Sequence, residues 1–290
     1  MKVIDVSSWN DFETKLQGLG HLCDRARPGA HYVAVNDPFL FRGVGNSEWG
    51  LETTLDRSYP MERCDQAVTL ISYYRKVFLS KPAVESISGE KWKEIPNLPE
   101  FGDLIKGSTE GTLNLALSNY PAIYEYLVFL RHHGFPSPLL DWTASPYVAA
   151  LFAFDAMDKK AEHVAIYVVE RDIYTTPLFA PGETFFVIGP YVQSHPRHYN
   201  QQSRYSLCVG LRLQDQWPGK DFAFLSHEQV LSGNLNGDSL LMLRIPSSQR
   251  QLALRHLDSM NINPYSLYGS KEALVRTVAR RECLFKNWGY

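Results

Sequence analysis

The chain has 290 residues, of which 44% are hydrophobic and 13% aromatic, so it can bury a sizeable core, which excludes disorder as its main state. Its 29 basic and 31 acidic residues give a formal net charge of -2, which excludes a global positive field for nonspecific binding of nucleic acid or anionic membrane. The longest apolar runs fall short of the ~20 residues of a bilayer span, and the N-terminal residues start no signal peptide, so a soluble, cytoplasmic chain is expected.

The first half of the chain is predicted to be mainly helical. The spacing of apolar residues indicates helices at about residues 10–19, 63–80 and 120–130, and a strand is expected within residues 31–41. Residues 81–111 contain several prolines and glycines without a sustained period, so they predict a long loop or insertion with one short turn at most.

The second half changes to strands. Short runs rich in β-branched and aromatic residues predict strands at residues 164–169, 184–188, 205–209 and 240–245. Two helices close the chain, one from about residue 247 to 260 and one that starts at a Ser270 cap. Because crossover helices do not alternate with the late strands, we expect one α+β domain, residues 1–290, with a mixed or antiparallel sheet flanked by helices.

The first candidate binding motif is Phe41-Arg42-Gly43, at the end of a predicted strand. A guanidinium offers paired donors that match phosphate oxygens, and a neighbouring glycine lets a ligand approach the backbone closely. Arg42 and Gly43 are therefore candidates for binding a nucleotide diphosphate. The alternative is structural, with Arg42 paired to a carboxylate at the sheet edge and Gly43 making a turn.

The second candidate motif occupies residues 131–146, between two predicted helices. A tight turn and a short strand bring Asp141, Trp142, Thr143 and Ser145 to the start of a helix, where unpaired N–H groups favour negative charge. Trp142 offers a flat surface on which a ring can stack. In the structural alternative, Ser145 is an N-cap, Asp141 accepts hydrogen bonds from loop N–H groups, and Trp142 belongs to the core.

Two adjacent histidines and two glutamates are further candidates for chemistry. His132 and His133 share a helix end, where a cationic imidazole is favoured and can grip a phosphate. Because adjacent helical residues face different ways, no metal site is expected, and a metal-dependent hydrolase is disfavoured. Glu228 and Glu282 are the other candidate acids, and each is more typical of a solvated face than of a reaction centre.

The motifs resemble those of the FRG domain family, which is named for a Phe/Tyr-Arg-Gly signature. Phe41-Arg42-Gly43, residues 132–146 and Gln201-Gln202 are similar to the opening, central and third motifs of that family, and the resemblance extends over nearly the whole chain. The chain departs from the family at Arg131, where the family usually has glutamine, and at Ser203, where it usually has glycine.

The same motifs are more remotely similar to ADP-ribosyltransferases of the arginine-serine-glutamate type. Arg42-Gly43, then residues 142–153, then Gln201-Gln202 before a strand follow the order of motifs in those enzymes. The resemblance implies an ADP-ribosyltransferase-like fold and NAD as the substrate. By analogy of fold alone, it also implies a bacterial toxin or phage-defence effector, with an antitoxin or regulatory protein as a partner.

The resemblance assigns roles to particular residues, because cleavage of the bond between nicotinamide and ribose passes through an oxocarbenium-like centre. The candidate catalytic residues are Arg42, Asp141, Thr143, Ser145 and Gln202, and the candidate cofactor-binding residues are Arg42, Gly43, His132, Trp142 and Thr143. Gln202 stands where the transferases carry an acid, and it can form hydrogen bonds but cannot offset a cation. Asp141 or a distant glutamate would then have to supply the negative charge.

Two functions remain open at this point. The first is an NAD-dependent ADP-ribosyltransferase that modifies a macromolecular acceptor, either protein or nucleic acid. The second is a noncatalytic nucleotide-binding or protein-recognition module, which the glutamine pair in place of an acid favours. For a nucleic-acid acceptor, a local basic cluster of Arg131, Arg197, His198 and Arg204 would have to replace the missing net positive charge.

Overall fold

The structure is a computed structural model that describes residues 1–19, 39–58, 68–109, 113, 117, 120–170, 183–188, 196–213, 220–233 and 240–286. The strands in these ranges are β1 (Lys2–Asp5), β2 (Phe39–Val44), β3 (Leu140–Thr143), β4 (His163–Glu170), β5 (Glu183–Ile188), β6 (Ser203–Leu213), β7 (Lys220–Phe224) and β8 (Leu240–Pro246). The α-helices are α1 (Trp9–Gln17), α2 (Thr54–Ser58), α3 (Leu70–Ser88), α4 (Leu98–Gly107), α5 (Pro121–His132), α6 (Pro146–Asp155), α7 (Pro196–Asn200), α8 (His227–Gly233), α9 (Arg250–Ser259), α10 (Pro264–Tyr268) and α11 (Lys271–Arg280).

The described strands form one mixed sheet. Their order is β1-β8-β4-β2-β3-β6-β5, and β7 pairs with the far half of β6. β1 runs parallel to β8, whereas the other paired strands are antiparallel. β4 and β8 are apolar at nearly every position because helices or loops cover both of their faces. The α+β class and the mixed sheet flanked by helices are confirmed.

Three apolar clusters hold the layers together. One packs α3, α4 and α5 against β5, β6 and β7. The second packs α1, α6 and α9 against one face of β2, β4 and β8. The third lies on the opposite face of those strands, around Leu40, Trp142 and Tyr167. Residues at the junction of β2 with β3 therefore belong to different clusters, Phe41 to the second and Trp142 to the third.

The prediction of a long loop over residues 81–111 is wrong for most of that segment. α3 continues through Pro82 to Ser88, and α4 begins at a capping box formed by Asn97 and Glu100. The rings of Tyr74 and Phe101 stack with their centroids 3.7 Å apart. Val84, beyond Pro82, packs against the same apolar cluster, and this tertiary contact compensates for the poor helix propensity of proline.

Other expectations have mixed outcomes. α5 ends where predicted, and Gly134, just beyond it, has the left-handed φ of 87° that suits glycine. The strands β1 and β7 were not predicted. Residues 31–38 and 63–67, part of a predicted strand and a predicted helix, lie outside the described residues. Within the described part of the chain, no helix combines the length and apolarity needed to span a membrane.

Candidate functional site

The sheet has a weak junction between β2 and β3. These strands share a single residue pair, Phe41 with Thr143, whereas β2 pairs with β4 along its whole length. An antiparallel continuation would place Arg42 opposite Trp142 and then Gly43 opposite Asp141. The carbonyl oxygen of Asp141 instead accepts a hydrogen bond from Nη1 of Arg42 at 2.9 Å. The Arg42 side chain thus takes the place of a ladder hydrogen bond at this junction.

A cavity of about 290 Å³ lies at this junction. β2, β3 and β6 form one side of it, with contributions from the ends of α5, α6, α7 and α10. The predicted site residues that line the cavity are Arg42, Gly43, His132, Asp141, Trp142 and Thr143. Ser145 and Gln202 do not line it. The first two motifs therefore meet at one cavity, although they are about 90 residues apart in the sequence.

Arg42 carries a positive charge into the cavity wall. Burial lowers the pKa of its guanidinium to about 10, an effect that the Asp141 carboxylate opposes and that Arg131 and Arg57 reinforce. The group remains protonated at neutral pH. Its Nε is buried and has no hydrogen-bond partner among the described residues. Part of the donor capacity of Arg42 is therefore not used by the fold.

Asp141 is tied to Arg131. Nε and Nη2 of Arg131 donate to the two carboxylate oxygens, one to each, in a bidentate ion pair. Burial by itself raises the pKa of Asp141, but Arg131, Arg42 and His132 together hold that pKa below its usual value. The Asp141 carboxylate is thus ionised, and its charge is compensated by Arg131. The two residues belong to the same sequence motif, residues 131–146, and this proximity is the signal that could have predicted the pair.

Thr143 and Ser145 are engaged in local structure. The Thr143 hydroxyl donates to the carbonyl of Gln201 at 2.7 Å and accepts from the backbone N–H of Ser145. The Ser145 side chain accepts from the N–H of Val148, so it is the N-cap of α6. The structural alternative therefore describes Ser145, and the ribose-orienting role predicted for it has no support in its position.

Ser145→Ala is expected to lower the free energy of unfolding by about 1 kcal/mol through loss of this cap, and to leave nucleotide binding unchanged. Urea denaturation and a binding titration of the same preparation check the two parts. Ser145→Asp keeps a side-chain oxygen that can cap α6, a carboxylate in place of the hydroxyl, and serves as the control. Weaker binding without a change in stability would instead give Ser145 a role in the site.

Trp142 is not the stacking platform that the sequence predicted. Its side chain is 3% exposed, and its indole N–H donates to Oγ of Ser206 at 2.7 Å. The ring packs in the core with Leu40 and Tyr167. Trp142 therefore reaches the cavity wall as a core residue, and its burial leaves too little of the ring exposed for a ligand ring to stack on it.

The fold itself requires glycine at position 43, whether or not a ligand approaches its backbone. A Cβ atom at this position would lie 1.8 Å from the carbonyl oxygen of Ala149 in α6. A Cβ at Gly45 would lie 2.0 Å from the carbonyl oxygen of Ala156. The two glycines therefore let α6 approach β2 closely, which brings Phe152 of α6 to the cavity.

The third motif contributes through Gln201 and not through the predicted Gln202. Gln202 has a positive φ of 48° in the turn before β6, and its side chain is exposed. Its carbonyl accepts from the N–H of Ala144, which fixes the turn against the start of α6. Gln201 lines the cavity, and its amide nitrogen is 3.4 Å from the carbonyl of Leu267.

Two aromatic groups that the sequence analysis missed form much of the remaining wall. Tyr205 of β6 lies opposite Asp141 in the sheet, and its hydroxyl is 3.1 Å from Nε2 of His132. Tyr268 at the end of α10 lies under the guanidinium of Arg197, whose Cζ is 5.5 Å from the ring centroid. Further lining residues that were not predicted as site residues are Phe41, Phe152, Gln201 and Ser203. Phe41, Phe152, Gln201 and Ser203 lie in or beside the sequence motifs, whereas no motif indicated Tyr268.

The predicted basic surface for a nucleic-acid acceptor is wrong for three of its four members. His198 and Arg204 are buried, and the Arg131 side chain is 8% exposed because it is committed to Asp141. Arg204 donates to the backbone carbonyls of Gln202 and Ser203. Arg197, at the cavity, is the member that stays accessible.

The other candidate acids and the histidine pair lie elsewhere. Glu282 is paired with Lys286, and Glu228 is not part of the cavity lining. His132 faces Tyr205, whereas His133 is exposed beside Phe129, so the adjacent histidines point apart as expected. No group of three potential metal ligands is found in the portion of the chain that the structure describes.

Comparison with known proteins supports the first of the two resemblances. Residues 37–162 match the family model of the FRG domain, which is less than half of the chain and shorter than the sequence motifs suggested. No curated protein and no solved structure matches the chain. The matched segment contains Arg42, His132 and Asp141, whereas Arg197 and Tyr268 lie beyond it. The segment from residue 37 to residue 162 is thus similar to the FRG domain, and it supplies the lining residues of β2, α5, β3 and α6.

Proposed function

We propose that the cavity binds NAD and that the protein transfers the ADP-ribose group to a macromolecular acceptor. The observation that supports this is the meeting of three distant segments, represented by Arg42, Thr143 and Ser203, on adjacent strands beside one cavity. Their order along the chain resembles the order of motifs in ADP-ribosyltransferases. The fold of those enzymes is an expectation that follows from this proposal.

The charges and rings of the cavity suit one half of the dinucleotide. Arg42 and Arg197 provide guanidinium donors for the pyrophosphate, and Tyr268 and Phe152 provide the apolar surfaces for the nicotinamide ring. Ligand pockets usually measure ~300–1,000 Å³, so a cavity of about 290 Å³ is suited to the nicotinamide ribose, with the adenosine outside. In this arrangement the ring of Trp142 packs in the core and supports the cavity wall.

Transfer requires that nicotinamide leaves while the acceptor attacks the ribose carbon. NAD supplies its own leaving group, which departs as neutral nicotinamide. The chain must then orient the ribose, exclude water and stabilise the positive charge that develops on the sugar. The buried Tyr205 and the half-buried Tyr268 in the cavity wall are suited to orient the ribose and to exclude water.

A noncatalytic nucleotide-binding module is the second candidate, and the Asp141–Arg131 pair favours it. Asp141 is the one carboxylate among the lining residues that the structure describes, and Arg131 compensates its charge. A carboxylate in such a pair stabilises a developing cation less than an unpaired one does. A module of this kind would hold NAD intact and signal its presence to a partner.

NAD labelled in the nicotinamide ring separates the two functions. For the transferase, incubation with purified protein and a lysate is expected to release labelled nicotinamide, and NAD labelled in adenine is expected to mark macromolecules. Digestion with ribonuclease or protease then tells which class of acceptor carries the mark. Tight binding without release would establish the module, and absence of both binding and release would reject the proposed use of NAD. Arg244→Ala removes an arginine remote from the cavity that is paired with Asp5, and it serves as the control variant.

A further inference from the structure

We propose that His132 is the general base of the transfer, the group that takes the proton of the acceptor as the acceptor attacks the ribose. Tyr205 and His198 are positioning residues that fix its imidazole ring. This inference rests on the proposed transfer of ADP-ribose and adds to it the group that activates the acceptor.

The described lining of the cavity contains few groups that can accept a proton at neutral pH. Burial acts to raise the pKa of Asp141, but neighbouring cations hold that pKa below its usual value, so the carboxylate is a weak base. Burial raises the pKa of Tyr205 and that of Tyr268, so both phenols keep their protons. The two guanidinium groups of the lining have no acceptor atom. Imidazole exchanges protons near neutral pH, which leaves His132 as the suitable group.

The position of His132 suits proton exchange with a bound ligand. It is the last residue of α5, it is half-buried, and it lines the cavity. A base has to lie within hydrogen-bond reach of the proton that it accepts, either directly or through one water. Because the cavity measures only about 290 Å³, a ribose and an attacking group inside it lie close to this ring.

A chain of hydrogen bonds runs from His132 into the protein. Its Nε2 is 3.1 Å from the hydroxyl of Tyr205, and that hydroxyl is 3.5 Å from Nδ1 of His198. The rings of His198 and Tyr205 are stacked with their centroids 5.6 Å apart, and both residues are buried. The half-buried imidazole is therefore anchored by two buried side chains.

The direction of this chain sets the tautomer of His132. The hydroxyl of Tyr205 donates one hydrogen bond and accepts others. When it donates to Nδ1 of His198, it accepts from Nε2–H of His132, and the neutral imidazole of His132 then has its lone pair on Nδ1. We assign Nδ1 as the atom that accepts the proton.

The transfer step forms one bond and breaks two. The acceptor atom bonds to C1′ of the ribose while the bond from C1′ to the nicotinamide nitrogen breaks, and the electron pair of that bond neutralises the charge of the nicotinamide ring. The proton of the acceptor goes to Nδ1 of His132, which later gives it to water. His132 and Asp141 interact electrostatically, so the carboxylate stabilises the imidazolium that forms.

Replacement of His132 by glutamine tests the role of the base. His132→Gln is expected to lower kcat for release of labelled nicotinamide about 100-fold and to leave the affinity for NAD nearly unchanged in calorimetry. The matched control is His133→Gln, because His133 is the adjacent residue, is exposed and does not line the cavity. It is expected to behave as wild type. Thermal melting shows whether each variant is folded.

The pH profile of kcat is a readout that a structural role would not move. Because the base has to be neutral, kcat of the wild type is expected to fall as pH decreases through the pKa of His132, and His132→Gln is expected to lack this fall. The other charged and titratable groups around the ring are Arg42, Arg131, Asp141, Arg197, His198 and Tyr205. Of these, His198 is the second imidazole, so His198→Gln is measured as well and is expected to keep the fall.

Tyr205→Phe tests the positioning role. It removes the hydroxyl that holds Nε2 of His132 and keeps the ring in the wall. We expect kcat to decrease about tenfold, because the loss of one hydrogen bond of about 1.5 kcal/mol corresponds to that factor. An unchanged kcat in a folded variant would overturn the positioning role of Tyr205.

The outcomes separate this inference from the proposed function. If His132→Gln releases nicotinamide at the wild-type rate, or keeps the fall at low pH, the role of His132 is overturned while the proposed transfer stands. Weaker binding of NAD with unchanged kcat would make His132 a binding residue instead. If the wild-type protein binds NAD without releasing nicotinamide, the transferase is overturned and the base with it, and if NAD does not bind, the proposed function fails as a whole.

Discussion

Replacement of Arg42 by alanine is expected to weaken NAD binding about 100-fold and to abolish NAD-dependent labelling of a lysate. Two hydrogen bonds from a guanidinium to phosphate contribute ~1.5 kcal/mol each, which corresponds to about two powers of ten in affinity. Arg42 remains charged at neutral pH, with its pKa lowered only to about 10 by burial, so its contribution is present under the conditions of the assay. Calorimetry and an adenine-labelled NAD assay measure the two effects.

The same substitution also removes a structural hydrogen bond. The carbonyl of Asp141 loses its partner at the junction of β2 and β3, which costs about 1–3 kcal/mol if the group stays buried. Urea denaturation therefore has to accompany the binding measurement.

Arg42→Lys keeps a charge without the fork and is expected to bind NAD with intermediate affinity. Arg244→Ala, remote from the cavity, is expected to behave as wild type, and unchanged labelling by Arg42→Ala would reject the proposed role.

Local signals in the sequence predicted the part of the site that is built from consecutive residues. The Ser145-Pro146 pair predicts the start of α6 because an N-cap and a proline at the first helical position act within one turn. Gly134 likewise predicts the end of α5, because a left-handed residue is needed there. The short strand between them follows from these two boundaries.

Contacts between distant segments could not be predicted in this way. Tyr268 reaches the cavity from the last part of the chain, and its pairing with Arg197 depends on how α10 packs beside α7. The continuation of α3 through Pro82 is accompanied by packing of Val84 against the apolar cluster of α3, α4 and α5, which no helix propensity of the segment indicates. Trp142 can be buried because its indole N–H donates to the hydroxyl of Ser206 on a neighbouring strand.

The ion pair of Asp141 and Arg131 changes the chemistry that the residue types alone suggested. In the sequence, Asp141 was a candidate for the negative charge that Gln202 cannot supply. In the structure, Arg131 compensates that charge, and Gln202 is exposed and does not line the cavity. Catalysis would then depend on desolvation and orientation of the ribose more than on a charged partner. If the cavity binds NAD as proposed, these residues favour either slow transfer of ADP-ribose or binding of NAD without transfer.

The second large effect is expected at Gly43, where alanine should lower the free energy of unfolding by about 3 kcal/mol or more. The added Cβ would meet the backbone of Ala149 and Ala153, which cannot rotate aside as a side chain can. The strand and α6 would have to separate, and Ala149, Ala150 and Ala153 are fully buried at that interface. Urea denaturation measures the loss.

Gly102→Ala is the matched control for this substitution. A Cβ at Gly102, within α4, meets nothing within 4 Å, so the change is expected to be neutral or to stabilise the helix by up to about 1 kcal/mol. Any fraction of Gly43→Ala that remains folded is expected to bind NAD more weakly, because a shift of α6 moves Phe152 at the cavity wall. Equal free energies of unfolding for Gly43→Ala and Gly102→Ala would show that β2 and α6 are not in close backbone contact. The position assigned to Phe152 at the cavity wall would then be wrong.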